Sequence, residues 1–216
     1  MDLVAQLGQL GVIPVVKIDR ASLARPMAEA LLAGGLPCAE ITFRTRAAED
    51  ALQQIAGAHP EVVLGAGTVL TLDQARRAVA AGARYIVSPG FDRKVVEWCL
   101  AMNIPVMPGV ATPTEIQMAL DCGVSLLKFF PAEALGGIPL LEAIAAPFPE
   151  VRFVPTGGIT PDNLADYLRR PMVHAVGGSW LVSAKLLNAE AFAEIARLAR
   201  QAVDIVSGIR SQGGDA

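Results

Sequence analysis

Short β-branched runs alternate with Ala- and Leu-rich amphipathic stretches along most of this 216-residue chain. That alternation constrains the fold more than any other feature. Runs near 12–18, 38–43, 62–67, 85–88, 105–109, 126–130, 152–156 and 174–177 read as strands. Stretches near 21–33, 46–57, 72–81, 92–102, 113–121, 138–145, 161–168 and 189–208 read as helices. Strands that alternate with helices predict βαβ units and a parallel sheet. Thr71, Thr112-Pro113 and Thr160-Pro161 supply start signals, an N-cap hydroxyl followed in two cases by proline at the first helical position.

Eight units leave 27 residues each, which is tight but workable for an α/β fold of the (β/α)8, or TIM-barrel, type. The rival is a doubly wound open sheet. It wants a glycine-rich turn after the first strand, where this chain has Val16-Lys17-Ile18-Asp19-Arg20. No shift in composition marks a linker, so a single domain is expected over 1–210, with a disordered tail at 211–216. Hydrophobic residues make up 53%, enough for a sizeable core. A net charge of −3 without a basic patch argues against nucleic acid as a partner. The apolar runs are too short and too often broken by Gly or Pro to span a membrane. No basic start precedes the first apolar run, so no signal peptide is expected. Cys38, Cys99 and Cys122 are odd in number and lack CxxC spacing, which suits a cytoplasmic location.

In a barrel, alternate strand residues point inward, and chemistry collects at the C-terminal ends of strands. Along 38–44, Ala39, Ile41 and Phe43 form an apolar set, whereas Cys38, Glu40, Thr42 and Arg44 form a polar one. Helices cover the outside, so Glu40, Thr42 and Arg44 are expected to face the lumen. The run Leu126-Leu127-Lys128-Phe129-Phe130-Pro131 obeys the same parity. If Leu127 and Phe129 pack on helices, Lys128 points inward. Thr68 and Thr156 place hydroxyls at the rims of the third and seventh strands. Blander readings exist: Lys128 snorkels to the barrel mouth, or Glu40 makes a static ion pair with Lys128 or Arg44.

An amine attacks a ketone only when unprotonated, and an apolar, desolvated setting favours that form. The product is a Schiff base, whose iminium draws electrons from the neighbouring carbon. A carboxylate nearby, Glu40, can then shuttle protons. Arg44 can grip a substrate carboxylate in bidentate fashion, with Thr68 and Thr156 orienting it. The chain has four lysines. Lys94 and Lys185 belong to helices and are expected in solvent. Lys17, near the end of the first strand, is the runner-up nucleophile and a secondary contact to the substrate anion.

Two glycine pairs, Gly157-Gly158 and Gly177-Gly178 followed by Ser179, come after the seventh and eighth strands. Barrels often bind phosphate there through backbone N–H groups. The alternative is that these glycines only make tight turns. A metal site is a weaker idea, since the only histidines are His59 and His174, and no cofactor is required if Lys128 is the electron sink.

Taken in order, Glu40-Ile41-Thr42-Phe43-Arg44-Thr45, Gly65-Ala66-Gly67-Thr68-Val69-Leu70, Leu127-Lys128-Phe129-Phe130-Pro131-Ala132-Glu133, Pro155-Thr156-Gly157-Gly158-Ile159 and Gly177-Gly178-Ser179-Trp180 resemble the 2-keto-3-deoxy-6-phosphogluconate (KDPG) and 4-hydroxy-2-oxoglutarate (KHG) aldolase family. The resemblance runs from about Val12 to about Val203. It implies a class I aldolase on a TIM barrel, a homotrimer, with Lys128 as Schiff-base residue and Glu40 as general acid and base. It implies that Arg44, Thr68 and Thr156 hold the pyruvyl part and that the glycine loops with Ser179 hold a phosphate. Lys17 falls where relatives vary. The implied reaction cleaves a phosphorylated keto acid to pyruvate and glyceraldehyde 3-phosphate. A KHG aldolase, a phosphogalactonate-type aldolase and a non-catalytic phosphate-binding barrel are the rivals.

Overall fold

The computed structural model describes residues 2–213. Helix α1 (Leu3–Leu10) leads into β1 (Val12–Val16). A 3-10 turn at Ala21–Leu23 runs into α2 (Ala24–Ala33), followed by β2 (Cys38–Thr42), α3 (Ala48–Ala58), β3 (Val63–Gly67) and α4 (Leu72–Ala80). Then come β4 (Tyr85–Val87), α5 (Arg93–Ala101), β5 (Val106–Met107), β6 (Gly109–Val110), α6 (Pro113–Asp121) and β7 (Leu126–Phe129). The chain closes with α7 (Ala132–Leu135), α8 (Gly137–Ala145), β8 (Arg152–Pro155), α9 (Pro161–Leu168), β9 (Val176–Gly178), α10 (Ala184–Asn188) and α11 (Phe192–Gly213).

Every strand pairing is parallel. The strands form a curled sheet in two pieces, six strands in the order β5-β4-β3-β2-β1-β9 and three in the order β6-β7-β8. Single parallel bridges, Phe153 to Val173 and Thr156 to Gly177, tie the β8 segment to the β9 segment. The eight expected strands are all present within a residue or two. The fifth is split: Val106–Met107 pairs with β4, and Gly109–Val110 pairs with β7. Pro108 lies between them and has no N–H to give to a ladder. Its carbonyl still accepts from the Lys128 N–H at 3.0 Å.

β1, β2 and β3 are buried along their whole lengths, as expected for parallel strands covered on both faces. Tyr85, Tyr167, Phe129 and Phe153 are the largest fully buried side chains, each worth roughly 1.5–3 kcal/mol of transfer free energy. The helix starts behave as their sequences predict. The Thr71 hydroxyl accepts from the Gln74 N–H at 3.2 Å. Thr112 and Glu115 cap each other reciprocally at the start of α6.

Three helices were not expected: α1, α7 and α10. The first carried a legible pattern, Leu3, Leu7 and Leu10 on one face. It ends at Gly11, whose left-handed φ of 71° lets its N–H return to the Leu7 carbonyl at 3.0 Å. At the other terminus the expected tail at 211–216 is corrected in part, because α11 continues through Gly213. The rest of that tail, 214–216, lies outside the described residues. Among the described residues no helix is long and apolar enough to cross a membrane.

Gly57 lies in α3 with open space where a Cβ would stand. Gly57→Ala is expected to raise stability by about 0.5–1 kcal/mol in urea denaturation, since only the cost of ordering glycine in a helix changes.

Candidate active site

Among the described residues the buried polar side chains are Glu40, Thr42, Ser88, Lys128 and Thr156. Four of these five were expected to face inward, and Ser88 was not. Period-two alternation in β2 puts Glu40 and Thr42 on one face, and the same alternation in β7 turns Lys128 away from Leu127 and Phe129. Lys128 is 4% exposed and Glu40 3% exposed, and Lys128 Nζ lies 3.5 Å from Glu40 Oε1. Lys128 Nζ also lies 5.3 Å from the centre of the Phe130 ring, so a cation at this point would face a carboxylate and an aromatic face.

Glycine in the neighbouring strand makes room for the carboxylate. In the β2–β3 register Glu40 stands opposite Gly65 and Thr42 opposite Gly67. A Cβ on Gly67 would sit 1.9 Å from Glu40 Oε1, and one on Gly65 would sit 2.1 Å from the Tyr85 ring. Tyr85 donates its hydroxyl to the Ala39 carbonyl at 3.2 Å. Burial above all, then the proximity of Cys38 and Glu40, keeps that phenol protonated.

A cavity of about 360 Å³ opens at the C-terminal ends of the strands. Its wall includes Lys17, Thr42, Arg44, Phe130 and Thr156. Thr42 follows Glu40 by two residues on the same face of β2, so the ion pair lies one layer deeper than the cavity wall. Thr42 donates its hydroxyl to the Val16 carbonyl at 2.9 Å.

Arg44 departs from expectation. β2 ends at Thr42, so Arg44 stands beyond the strand, exposed at the cavity mouth and not in the interior. Its Nε donates to Thr68 Oγ1 at 3.1 Å. Thr68 holds a left-handed φ of 54°, a conformation that strains a β-branched residue by roughly 1–3 kcal/mol. No carboxylate pairs with Arg44 among the described residues, so its remaining donors are available. Lys17 is exposed at the same mouth and pairs with Asp19 at 3.1 Å. Lys94 and Lys185 are exposed on α5 and α10, as expected.

The first glycine pair forms a loop. Gly157 and Gly158 have left-handed φ values of 99° and 83°, and both line the cavity. The Thr156 carbonyl accepts from the Ala132 N–H at 2.9 Å, and the Gly157 carbonyl accepts from the Glu133 N–H at 3.0 Å. In a trans peptide the N–H points opposite to the carbonyl. The Gly157 and Gly158 N–H groups therefore point away from segment 131–133. Neither has a protein acceptor among the described hydrogen bonds. Two adjacent donors without a protein acceptor thus stand beside the cavity, a geometry suited to an anion. Asn163 secures the far side, donating Nδ2 to the Gly158 carbonyl at 3.2 Å and accepting from the Thr160 N–H at 2.9 Å.

The second glycine pair belongs to a strand, not a turn: Gly177 and Gly178 lie in β9, opposite Ile13 and Pro14. Gly177 lines the cavity, and a Cβ there would sit 2.2 Å from Thr156 Oγ1. Gly178 does not line it; its missing side chain leaves room for the Trp180 ring, 2.2 Å from where a Cβ would be. Ser179 is exposed and lines the cavity. Ser183 and Phe130 also line it, and neither was singled out from the sequence.

The histidines stand apart from this site. His174 Nε2 bonds the Val4 carbonyl at 2.8 Å, and His59 lies between Glu29 and Glu61 at 3.6 and 3.5 Å. Among the described residues no three His, Cys, Asp or Glu side chains group as a metal site. Burial holds the Cys99 thiol up at about 12 and raises that of Cys38 further, which leaves both as poor nucleophiles.

The chain that places a buried lysine beside a carboxylate beneath this cavity is similar to known proteins. The sequence profile of the KDPG and KHG aldolases matches residues 3–198. The 2-dehydro-3-deoxy-phosphogluconate aldolase of Treponema pallidum (strain Nichols) is 50% identical over 200 residues, covering 93% of this chain and 95% of that protein. KDPG aldolase from Legionella pneumophila, solved with pyruvate captured at low pH as a covalent carbinolamine intermediate, superposes with a TM-score of 0.89 at 42% identity, covering 93% of this chain and 97% of that one. The KDPG aldolase of Zymomonas mobilis ZM4 with 3-phosphoglycerate superposes with a TM-score of 0.88 at 40% identity, covering 94% and 95%. With both the profile and these relatives spanning nearly the whole sequence, the chain belongs to the KDPG and KHG aldolase family.

Proposed function

We propose that this protein is a class I aldolase that cleaves 2-dehydro-3-deoxy-6-phosphogluconate to pyruvate and D-glyceraldehyde 3-phosphate. The observation that carries this reading is the buried Lys128–Glu40 pair, 3.5 Å apart beneath the cavity. Lys128 Nζ adds to the C2 ketone to give a carbinolamine, which loses water to form an iminium. The C4 hydroxyl then gives its proton to Glu40 as the C3–C4 bond breaks. The bonding electrons pass into the iminium and leave an enamine, and the aldehyde departs. Protonation at C3 by Glu40 and hydrolysis release pyruvate and restore the amine. The Phe130 face, 5.3 Å from Nζ, supports the cationic stages.

The remaining assignments follow the substrate's two ends. Arg44, Thr68 and Thr156 hold the pyruvyl carboxylate and carbonyl, and the Arg44–Thr68 contact at 3.1 Å favours this grouping. Gly157, Gly158, Gly177 and Ser179 hold the phosphate, with Lys17 adding a positive charge at the mouth. Gly178 serves this end only by seating Trp180. A relative solved with 3-phosphoglycerate supports a phosphorylated substrate.

The two sheet pieces and the bridges at Phe153 and Thr156 support closure into a (β/α)8 barrel forming one domain. Exposed Leu70, Met102 and Met118 are available to contacts between subunits of a homotrimer, which light scattering tests. Three free thiols fit a reducing compartment, the cytoplasm.

The deciding experiment treats the protein with pyruvate and borohydride and maps the adduct. Covalent capture is expected on Lys128, and capture on another residue or none would refute the mechanism. Turnover of the phosphorylated keto acid is expected to exceed that of 4-hydroxy-2-oxoglutarate in kcat/KM by roughly tenfold or more, since the shorter substrate has a carboxylate on C4 and no phosphate to reach the Gly157 and Gly158 donors. Equal values would favour the second substrate class.

A further inference from the structure

The loop at 156–158 is braced from behind by a pair of side chains that do not touch the cavity. Glu133 follows the Schiff-base strand at the start of α7, and Tyr167 lies on α9, the helix that begins just after the loop. Tyr167 is fully buried and donates its hydroxyl to Glu133 Oε1. Burial first, then the hydrogen bond and charge of Glu133, keeps the phenol protonated and so a donor. The Glu133 side chain packs flat against Gly158: a Cβ there would stand 2.5 Å from both Glu133 Cβ and Cγ. Its Oε1 also lies 2.9 Å from where a Cβ on Gly137 would be. Three features thus converge on one side chain: a buried phenol and a left-handed glycine at its carboxylate, and a second left-handed glycine against its stem.

The consequence reaches the loop's donors. The Glu133 N–H holds the Gly157 carbonyl at 3.0 Å, and that bond orients the Gly158 N–H. Any shift of Glu133 rotates the peptide that presents this donor. Pinning Oε1 to Tyr167 also keeps a negative charge on the far side of the loop from an anion, and Glu133 is absent from the cavity wall. The same segment continues from Lys128, so the brace couples the amine end of the site to the anion end.

We propose that Tyr167 and Glu133 act as positioning residues that set the preference for phosphorylated keto acids by aligning loop 156–158. This rests on the functional reading above. Tyr167→Phe removes only a hydroxyl from the core and frees the carboxylate. It is expected to raise KM for the phosphorylated keto acid roughly tenfold with kcat little changed. Exchange of pyruvate methyl protons in deuterated water, which requires the amine and its carboxylate but no phosphate, should stay within about twofold of wild type. Glu133→Ala, the second variant should Tyr167→Phe misfold, is expected to show the same split. Glu133→Gln still accepts the phenol proton and packs on Gly158, so it should keep KM near wild type.

An unshifted KM in both folded variants, or a parallel fall in KM-limited turnover and pyruvate exchange, would overturn the proposal in favour of a purely structural role. A wild-type protein that neither exchanges pyruvate nor cleaves the phosphorylated keto acid would sink the aldolase reading itself. An active wild type with unshifted variants sinks the brace alone.

Discussion

Lys128→Met is expected to lower aldol cleavage by at least about 10⁴-fold and to abolish capture of pyruvate by borohydride. Methionine keeps most of the unbranched stem, so the loss reports the amine and not a void. The substitution has a second, separable cost. Glu40 is 3% exposed and has Lys128 as its ion-pair partner, so it becomes a buried carboxylate without a cation. Breaking a buried pair from one side destabilises by about 3–5 kcal/mol. Adding Glu40→Gln to Lys128→Met should therefore recover much of the stability and none of the activity. Denaturant titration and turnover, measured on the same proteins, separate the two effects. Residual adduct formation in Lys128→Met would point to Lys17, the other lysine at the cavity.

The second large effect comes from a residue without a side chain. Gly67→Ala is expected to reduce cleavage and pyruvate methyl exchange by about 10²–10³-fold, within the range for losing a general acid or base. The new Cβ would stand 1.9, 2.5 and 2.6 Å from Oε1, Cδ and Cγ of Glu40. No real contact is that short, so the carboxylate must turn away from Lys128. Backbone pairing of β2 and β3 is unaffected by such a turn, and borohydride capture of pyruvate on Lys128 should still go to completion. Wild-type exchange in Gly67→Ala would show that a displaced Glu40 is no obstacle, and the proton shuttle would have to be sought elsewhere.

The pair at the heart of both predictions was legible in the sequence because strand periodicity is strict. A residue next to two apolar neighbours in a strand covered outside by helices must face the other way, and Glu40 and Lys128 both do. The same rule failed for Arg44, because it was applied two residues past the end of the strand. Parity has no meaning once the ladder stops at Thr42, and the turn carried Arg44 to the mouth. The second glycine pair had two readings in the sequence, a phosphate-binding segment or a tight turn, and the fold removes the turn: β9 uses both as strand residues whose missing side chains admit Thr156 and Trp180. Pro108 was visible, yet its splitting of the fifth strand depended on which neighbours needed a donor at that point.

Local chemistry written along the chain was enough to establish the eight strand segments, the main helices between them, the threonine caps at Thr71, Thr112 and Thr160, and which residues of β2 and β7 face inward. These follow from the alternation of side chains and from the hydrogen-bonding needs of helix ends, both short-range properties. Only the folded chain decided that Glu40 lies over Gly67 and within reach of an amine 88 positions away, and that Tyr167 bonds Glu133 behind the loop at 156–158. Those contacts depend on how far the sheet curls and how its strands are staggered, and that geometry is a sum over every pairing in the sheet.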